Sequence, residues 1–159
     1  MKVQDGKSVQ DIVDDVVKEF GRLDYAVNAA RSSRNGTRDI GRGVIINLAS
    51  VNSSAGLPGK GSYTISKHTF IGITKMAPEG IRVNAVYRTW VRTPLLDVEL
   101  KSPEVRGMTS AIVPIKRAAE CKEVSDIIAF LCSLAASYIN GASLLIDAAV
   151  STTVRLFDY

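Results

Sequence analysis

Residues 43–67 read GVIINLASVNSSAGLPGKGSYTISK, and this stretch decides the fold. Residues 44–48 form an apolar run that is too continuous to alternate, which predicts a strand buried on both faces of a parallel sheet. Tyr63 and Lys67 stand four residues apart, so they share one face if the chain is helical there. Ser50 lies just beyond the predicted strand. The stretch therefore predicts a strand, a connection and a helix that place three polar side chains.

Ser50, Tyr63 and Lys67 supply the groups needed for proton exchange with an alcohol or a ketone. An ammonium group beside a phenol favours the phenolate, and a phenol adjusted in this way is an effective acid or base. The Ser50 hydroxyl can orient a carbonyl oxygen, although Ser53 or Ser54 could take that role. The structural alternatives are a turn cap for Ser50, packing against the sheet for Tyr63 and a solvated position for Lys67.

The rest of the chain alternates between helical and strand patterns. Apolar residues recur at helical spacing in residues 8–20 and 120–133, and a helix is also predicted from residue 63 to about residue 77, where Pro78 must stop it. The other predicted strands are residues 23–29, 81–86 and 143–147, and residues 95–118 are predicted to be loop and short helix. This alternation predicts an α/β fold with a parallel sheet, in a single domain over residues 1–159.

The composition argues against several functions. The formal net charge is +4, but most basic residues are scattered. Four arginines do cluster within residues 31–42, but that segment has no aromatic residue on which a nucleic-acid base could stack. Cys121 and Cys132 have no metal-site spacing and His68 is the only histidine, so no metal site or disulfide framework is predicted. No apolar segment resembles a signal region or a membrane span. We expect a soluble, cytoplasmic protein that binds no nucleic acid, no metal and no membrane.

Residues 43–67 resemble the catalytic core of the classical short-chain dehydrogenase/reductase family. Three further segments share the resemblance, namely DYAVNAA at 24–30, GIRVNAV at 80–86 and WVRTPL at 90–95. The resemblance runs from about residue 3 to residue 150. It implies a Rossmann-like parallel sheet and an oxidoreductase that interconverts a ketone and a secondary alcohol. The implied cofactor is NAD or NADP, and the implied substrate is a small carbonyl or alcohol compound.

The resemblance also implies a catalytic role for three residues. Tyr63 would be the acid/base, and Ser50 would hold the substrate oxygen. Lys67 would assist Tyr63 electrostatically and hold the hydroxyls of the nicotinamide ribose.

The cofactor-binding residues implied by the family are Asn28, Ala30, Tyr63, Lys67 and Thr93. Asn28 and Ala30 match backbone that lines the cofactor, while Thr93 matches the residue that contacts the nicotinamide carboxamide. A structural turn is the alternative for Asn28 and Ala30, and loop capping is the alternative for Thr93.

The sequence departs from the family pattern in ways that bear on function. No Gly-rich phosphate-binding turn lies ahead of Leu23, so the resemblance predicts an incomplete Rossmann-like fold without its first strands, and weak cofactor binding. Residues 31–42 stand where relatives spend several dozen residues, among them the asparagine of the catalytic tetrad. Arg88 and Thr89 replace the Pro-Gly that follows the corresponding strand in the family.

An incomplete sheet would expose one edge and apolar faces, which invite association. We therefore expect a homo-oligomer. The alternative to an active oxidoreductase is a shortened, catalytically inactive member of the family that acts as an oligomerising or binding module.

Overall fold

The computed structural model describes residues 6–28, 43–54, 56, 59, 61–77 and 79–152. The strands are β1 (Tyr25–Asn28), β2 (Gly43–Ser50), β3 (Ile81–Arg88) and β4 (Ser143–Ile146). The helices are α1 (Gly6–Phe20), α2 (Gly61–Lys75), α3 (Pro94–Glu99), α4 (Pro103–Ile112) and α5 (Cys121–Cys132), with short 3₁₀ helices at Val51–Ser53 and Leu134–Ala136.

The four strands form one sheet in the order β1-β2-β3-β4, and every neighbouring pair is parallel. Described helices connect β2 to β3 and β3 to β4, as parallel pairing requires. The predicted α/β class and the Rossmann-like parallel sheet are therefore confirmed. The central strands β2 and β3 are the most buried elements, which agrees with their continuous apolar sequence.

The sheet carries a hydrophobic core on each face. On one face, Ile46 and Val86 pack with Val124 and Leu131 of α5. On the other face, Ala49, Ala85 and Tyr87 pack with Phe70 of α2; the two sets alternate along the strands, as side chains of a strand must.

A buried polar contact fixes α2 on the sheet. The Asn47 side-chain amide of β2 donates a hydrogen bond of 3.1 Å to the Thr74 hydroxyl of α2, and both residues are buried. A buried amide without a partner is costly, so this pair favours one position of the helix over others. The position of α2 matters because the helix carries Tyr63 and Lys67 near its other end.

Two polar side chains of β3 bind the segment between α5 and β4. The Arg82 guanidinium donates to the carbonyl oxygens of Leu131 (2.8 Å), Ser133 (3.3 Å) and Ile139 (3.2 Å), so it satisfies acceptors at the C-terminus of α5. The Asn84 side chain donates to the Ile139 carbonyl over 2.9 Å. The segment GIRVNAV thus supplies a buried strand and also the polar anchors that hold its neighbour.

None of the helices within the described ranges is long and apolar enough to cross a membrane.

Candidate active site

Ser50 lies at the carboxyl end of β2 and is 7% exposed. Its hydroxyl oxygen accepts a hydrogen bond of 3.3 Å from the Asn52 backbone amide, so Ser50 caps the 3₁₀ helix that follows. A hydroxyl can accept and donate at once. Capping therefore leaves the Ser50 proton available to a substrate oxygen, and the structural and functional interpretations of this residue are compatible.

The two serines that could compete with Ser50 are engaged in the same turn. The Ser53 hydroxyl oxygen accepts a bond of 3.4 Å from the Ser50 backbone amide, and Ser53 is completely buried. The Ser54 hydroxyl donates over 3.0 Å to the Val51 carbonyl. Neither contact changes the prediction that Ser50 orients the substrate.

Tyr63 and Lys67 lie on consecutive turns of α2, which packs against the 3₁₀ helix that Ser50 caps. The Lys67 ammonium nitrogen is 5.8 Å from the centre of the Tyr63 ring and 4.9 Å from that of Phe70. Lys67 is only 5% exposed. A cation over aromatic faces is attracted to them, and this attraction offsets part of the cost of burying the charge. The predicted proximity of Tyr63 and Lys67 is confirmed as geometry.

Thr93 caps α3. Its hydroxyl oxygen accepts a bond of 3.3 Å from the Leu96 backbone amide, and Pro94 follows as the first helical residue. This is the capping alternative that the sequence raised. The Thr93 proton can still donate to a second group, so its predicted contact with a carboxamide stays a prediction.

Asn28 ends β1, where its backbone is the register partner of Asn47 in β2. This places the Asn28 backbone at the carboxyl end of its strand, the same end of the sheet as Ser50. Ala30 lies outside the described residues, as does the connection 31–42 that replaces the longer family segment. Across the described ranges, no group of His, Cys, Asp or Glu side chains could hold a metal ion.

Arg88 lies at the same end of the sheet, and the sequence analysis gave it no role. Arg88 is the register partner of Ser50 on the neighbouring strand. The only sequence signal was its unusual place after the segment GIRVNAV, where the family pattern has a proline.

The side chains predicted to bind the cofactor carry donors of the kind that the nicotinamide half of a dinucleotide requires. Ammonium and hydroxyl donors at Lys67, Tyr63 and Thr93 match the hydroxyl and carboxamide oxygens of a nicotinamide riboside. Parallel α/β sheets bind such ligands beyond the carboxyl ends of their strands, and Ser50 marks that end of β2 here.

A family described as enoyl-(acyl carrier protein) reductase matches residues 37–151. The short-chain dehydrogenase anuF of Penicillium roqueforti is 29% identical over 96% of this chain and 75% of its own length. The short-chain dehydrogenase fogB of Aspergillus ruber is 39% identical over 79% of this chain. This chain belongs to the short-chain dehydrogenase/reductase family.

A solved structure of ElxO with NADP bound has a TM-score of 0.83 and 28% identity, covering 96% of this chain and 77% of ElxO. Coverage of the relatives is partial: the match spans only 47% of fogB and 75% of anuF. Membership of an oxidoreductase family favours the enzymatic interpretation over the inactive binding module.

Proposed function

We propose that this member of the short-chain dehydrogenase/reductase family interconverts a ketone and a secondary alcohol, with Tyr63 as the acid/base. One observation carries the proposal: the buried Lys67 ammonium lies 5.8 Å from the centre of the Tyr63 ring, on a helix that packs beside the turn of Ser50. A cation close to a phenol stabilises the phenolate that forms when the phenol gives up its proton.

Each side chain has a distinct role in this proposal. The Tyr63 hydroxyl gives a proton to the carbonyl oxygen in reduction and takes it back in oxidation. The Ser50 hydroxyl donates a hydrogen bond to the same oxygen and fixes its position. Lys67 stabilises the phenolate and donates to the ribose hydroxyls. The cofactor, when bound, supplies or accepts the hydride; NADP in the related ElxO structure supports a nicotinamide dinucleotide here.

The proposal is tested by Tyr63→Phe, which keeps the ring and removes only the hydroxyl. We expect the rate of carbonyl-dependent NADPH or NADH oxidation to fall by at least about 100-fold, because positioned acid–base groups contribute roughly 10²–10⁴-fold. Absorbance of the reduced nicotinamide, followed with a panel of ketones, provides the measurement. Tyr138→Phe is the matched control, since Tyr138 is fully exposed, and this variant should keep the parent rate.

A Tyr63→Phe rate within about tenfold of the parent rate would contradict the assigned role. Circular dichroism of both variants separates a lost proton donor from a lost fold.

A further inference from the structure

Arg88 places a positive charge beside the proposed substrate-orienting serine. It ends β3, with Ser50 of β2 as its register partner on one side and Ile146 of β4 on the other. Neighbouring strands lie about 4.8 Å apart, and residues paired across parallel strands share one face of the sheet. Arg88 therefore lies next to Ser50 at the carboxyl end of the sheet, where the proposed site lies.

The Arg88 guanidinium has no carboxylate partner among the described residues. It donates a hydrogen bond of 3.2 Å to the neighbouring Thr89 carbonyl. Ion pairs within the described ranges are formed by Arg22, Arg92, Arg117 and Lys122. Arg88 is also partly buried. A partly buried charge without a counter-ion is unfavourable, and an anionic ligand would compensate it.

The carboxylate of Asp147 already accepts hydrogen bonds from its own loop. Asp147 comes after Ile146, and its oxygens accept hydrogen bonds from the backbone amides of Ala149 (3.0 Å) and Ser151 (2.9 Å) and from the Ser151 hydroxyl. These contacts turn the carboxylate toward its own loop. They leave the guanidinium of Arg88 as the charged donor on the strand next to Ser50.

We propose that Arg88 binds a carboxylate of the substrate, so that the site prefers keto acids and hydroxy acids to neutral ketones and alcohols. The planar guanidinium matches a carboxylate with two parallel N–H donors. This inference rests on the proposed function, because that function places the carbonyl oxygen at Ser50. A cofactor phosphate has the same anionic chemistry, but the proximity to Ser50 favours the substrate.

Trp90 allows binding to be measured without turnover. It is the only tryptophan of the chain, two residues after Arg88, and it is partly buried. Its fluorescence is titrated with levulinate, a keto acid, and with methyl levulinate, which differs in having no charge. We expect the acid to bind at least about tenfold more tightly than the ester at low salt, because hydrogen bonds to a charged group change a dissociation constant by about this factor.

Three variants test whether Arg88 causes the preference for the acid over the ester. Arg88→Gln should bind acid and ester equally, whereas Arg88→Lys should keep part of the preference. Arg92→Gln removes one positive charge four residues away, where Arg92 is exposed and paired with Glu120 at 3.1 Å; it should behave like the parent. Equal binding of acid and ester by the parent, a preference that survives in Arg88→Gln, or no saturable binding of the acid would each overturn the proposal.

Two further titrations separate this inference from its alternatives. If Arg88→Gln weakens NADPH binding and leaves levulinate binding intact, the anion is the cofactor phosphate and the substrate assignment is wrong. Tyr63→Phe should retain the preference for the acid while losing turnover. A charge preference in a parent chain that reduces no ketone would support the anion site and contradict the proposed function.

Discussion

Asp147 holds the loop after β4 through a set of hydrogen bonds that its carboxylate accepts. The residue is 8% exposed, and the donors are the Ala149 and Ser151 amides and the Ser151 hydroxyl. Burial raises the pKa of the Asp147 carboxyl, but the hydrogen bonds from Ser151 and Ala149 outweigh burial and hold that pKa below its ordinary value. The ionised carboxylate is therefore the form that the fold prefers.

This preference predicts how stability depends on pH. The pKa of Asp147 is lower in the folded than in the unfolded protein. The contribution of its carboxylate to the free energy of unfolding is therefore fully present above the unfolded pKa of about 3.9, and it is lost as the pH falls through the lower folded pKa. Asp147→Asn should destabilise the protein by about 1–3 kcal/mol at neutral pH, and by less at pH values below the folded pKa. Urea unfolding at several pH values provides the measurement.

Asp126→Asn is the control for this prediction, because Asp126 forms only an exposed pair with Lys122. Such pairs contribute about 0.3–0.5 kcal/mol. An Asp147→Asn deficit that stays constant down to the lowest pH would mean that the loss is one of shape rather than of charge.

The proximity of Tyr63 and Lys67 could be predicted from the sequence because it is local. Lys67 follows Tyr63 by four residues, a separation that a helix converts directly into proximity. The roles of Arg82 and Asn84 could not be predicted in the same way. Their acceptors at Leu131 and Ile139 lie about fifty residues further along the chain, and no periodicity of β3 indicates which carbonyls will approach it.

At the level of elements, strong periodicity and apolar runs predicted which helices and strands exist, but not the residues at which they begin and end. β2 was predicted over 44–48 and extends over Gly43–Ser50, and the helix predicted from residue 63 begins at Gly61. Strand pairing explains the first difference, since β3 offers partners for all eight residues of β2. The mixed stretch 95–118 resolves into α3 and α4, each of which begins at a proline; proline is favoured in the first helical turn.

The loop after β4 contains two alanines in a conformation that favours glycine. Ala148 has φ of 50° and Ala149 has φ of 66°. The left-handed region costs a residue with a Cβ about 1–2 kcal/mol, while glycine loses about 0.5–1 kcal/mol of entropy elsewhere in a fold. Ala148→Gly and Ala149→Gly should each stabilise the protein by a few tenths to about 1 kcal/mol, measured by urea unfolding.

The same substitution in a helix supplies the control. Ala129 is exposed within α5, and Ala129→Gly should destabilise the protein by about 1 kcal/mol. If all three variants lose similar stability, the positive φ angles of the loop are not strained. The hydrogen bonds of Asp147 alone would then explain the conformation of the loop.

On the scale of the whole molecule, the residues proposed to bind the dinucleotide account only for its nicotinamide half. These residues are Tyr63, Lys67 and Thr93, and residues 1–24 of the given sequence contain no Gly-rich turn. In Rossmann-like folds that turn and its helix bind the pyrophosphate. We therefore predict that this chain binds NADPH and NADH with a dissociation constant of about 1 mM or weaker, equivalent to about −4 kcal/mol. Calorimetric titration would measure it, and micromolar binding would contradict it.

In the part of the chain that the structure describes, no strand lies beyond β1. Among the described strands, β1 pairs with β2 alone, and its exposed fractions are 58% at Tyr25 and 51% at Val27. Phe20 at the end of α1 is 68% exposed. An unpaired edge with apolar side chains is a template for pairing with another chain, and apolar patches of this kind mark interaction sites.

We predict that the chain self-associates through this edge at micromolar concentration. Val27→Lys should shift it toward the monomer, because a lysine on an edge strand opposes pairing. Val98→Lys places the same charge on α3, where Val98 is 63% exposed and belongs to no strand, and it should leave association unchanged. Sedimentation velocity of the three chains over a range of concentrations distinguishes the outcomes. A parent that sediments as a monomer throughout, with a cooperative thermal transition, would show that the β1 edge is protected, and the predicted homo-oligomer would then be wrong.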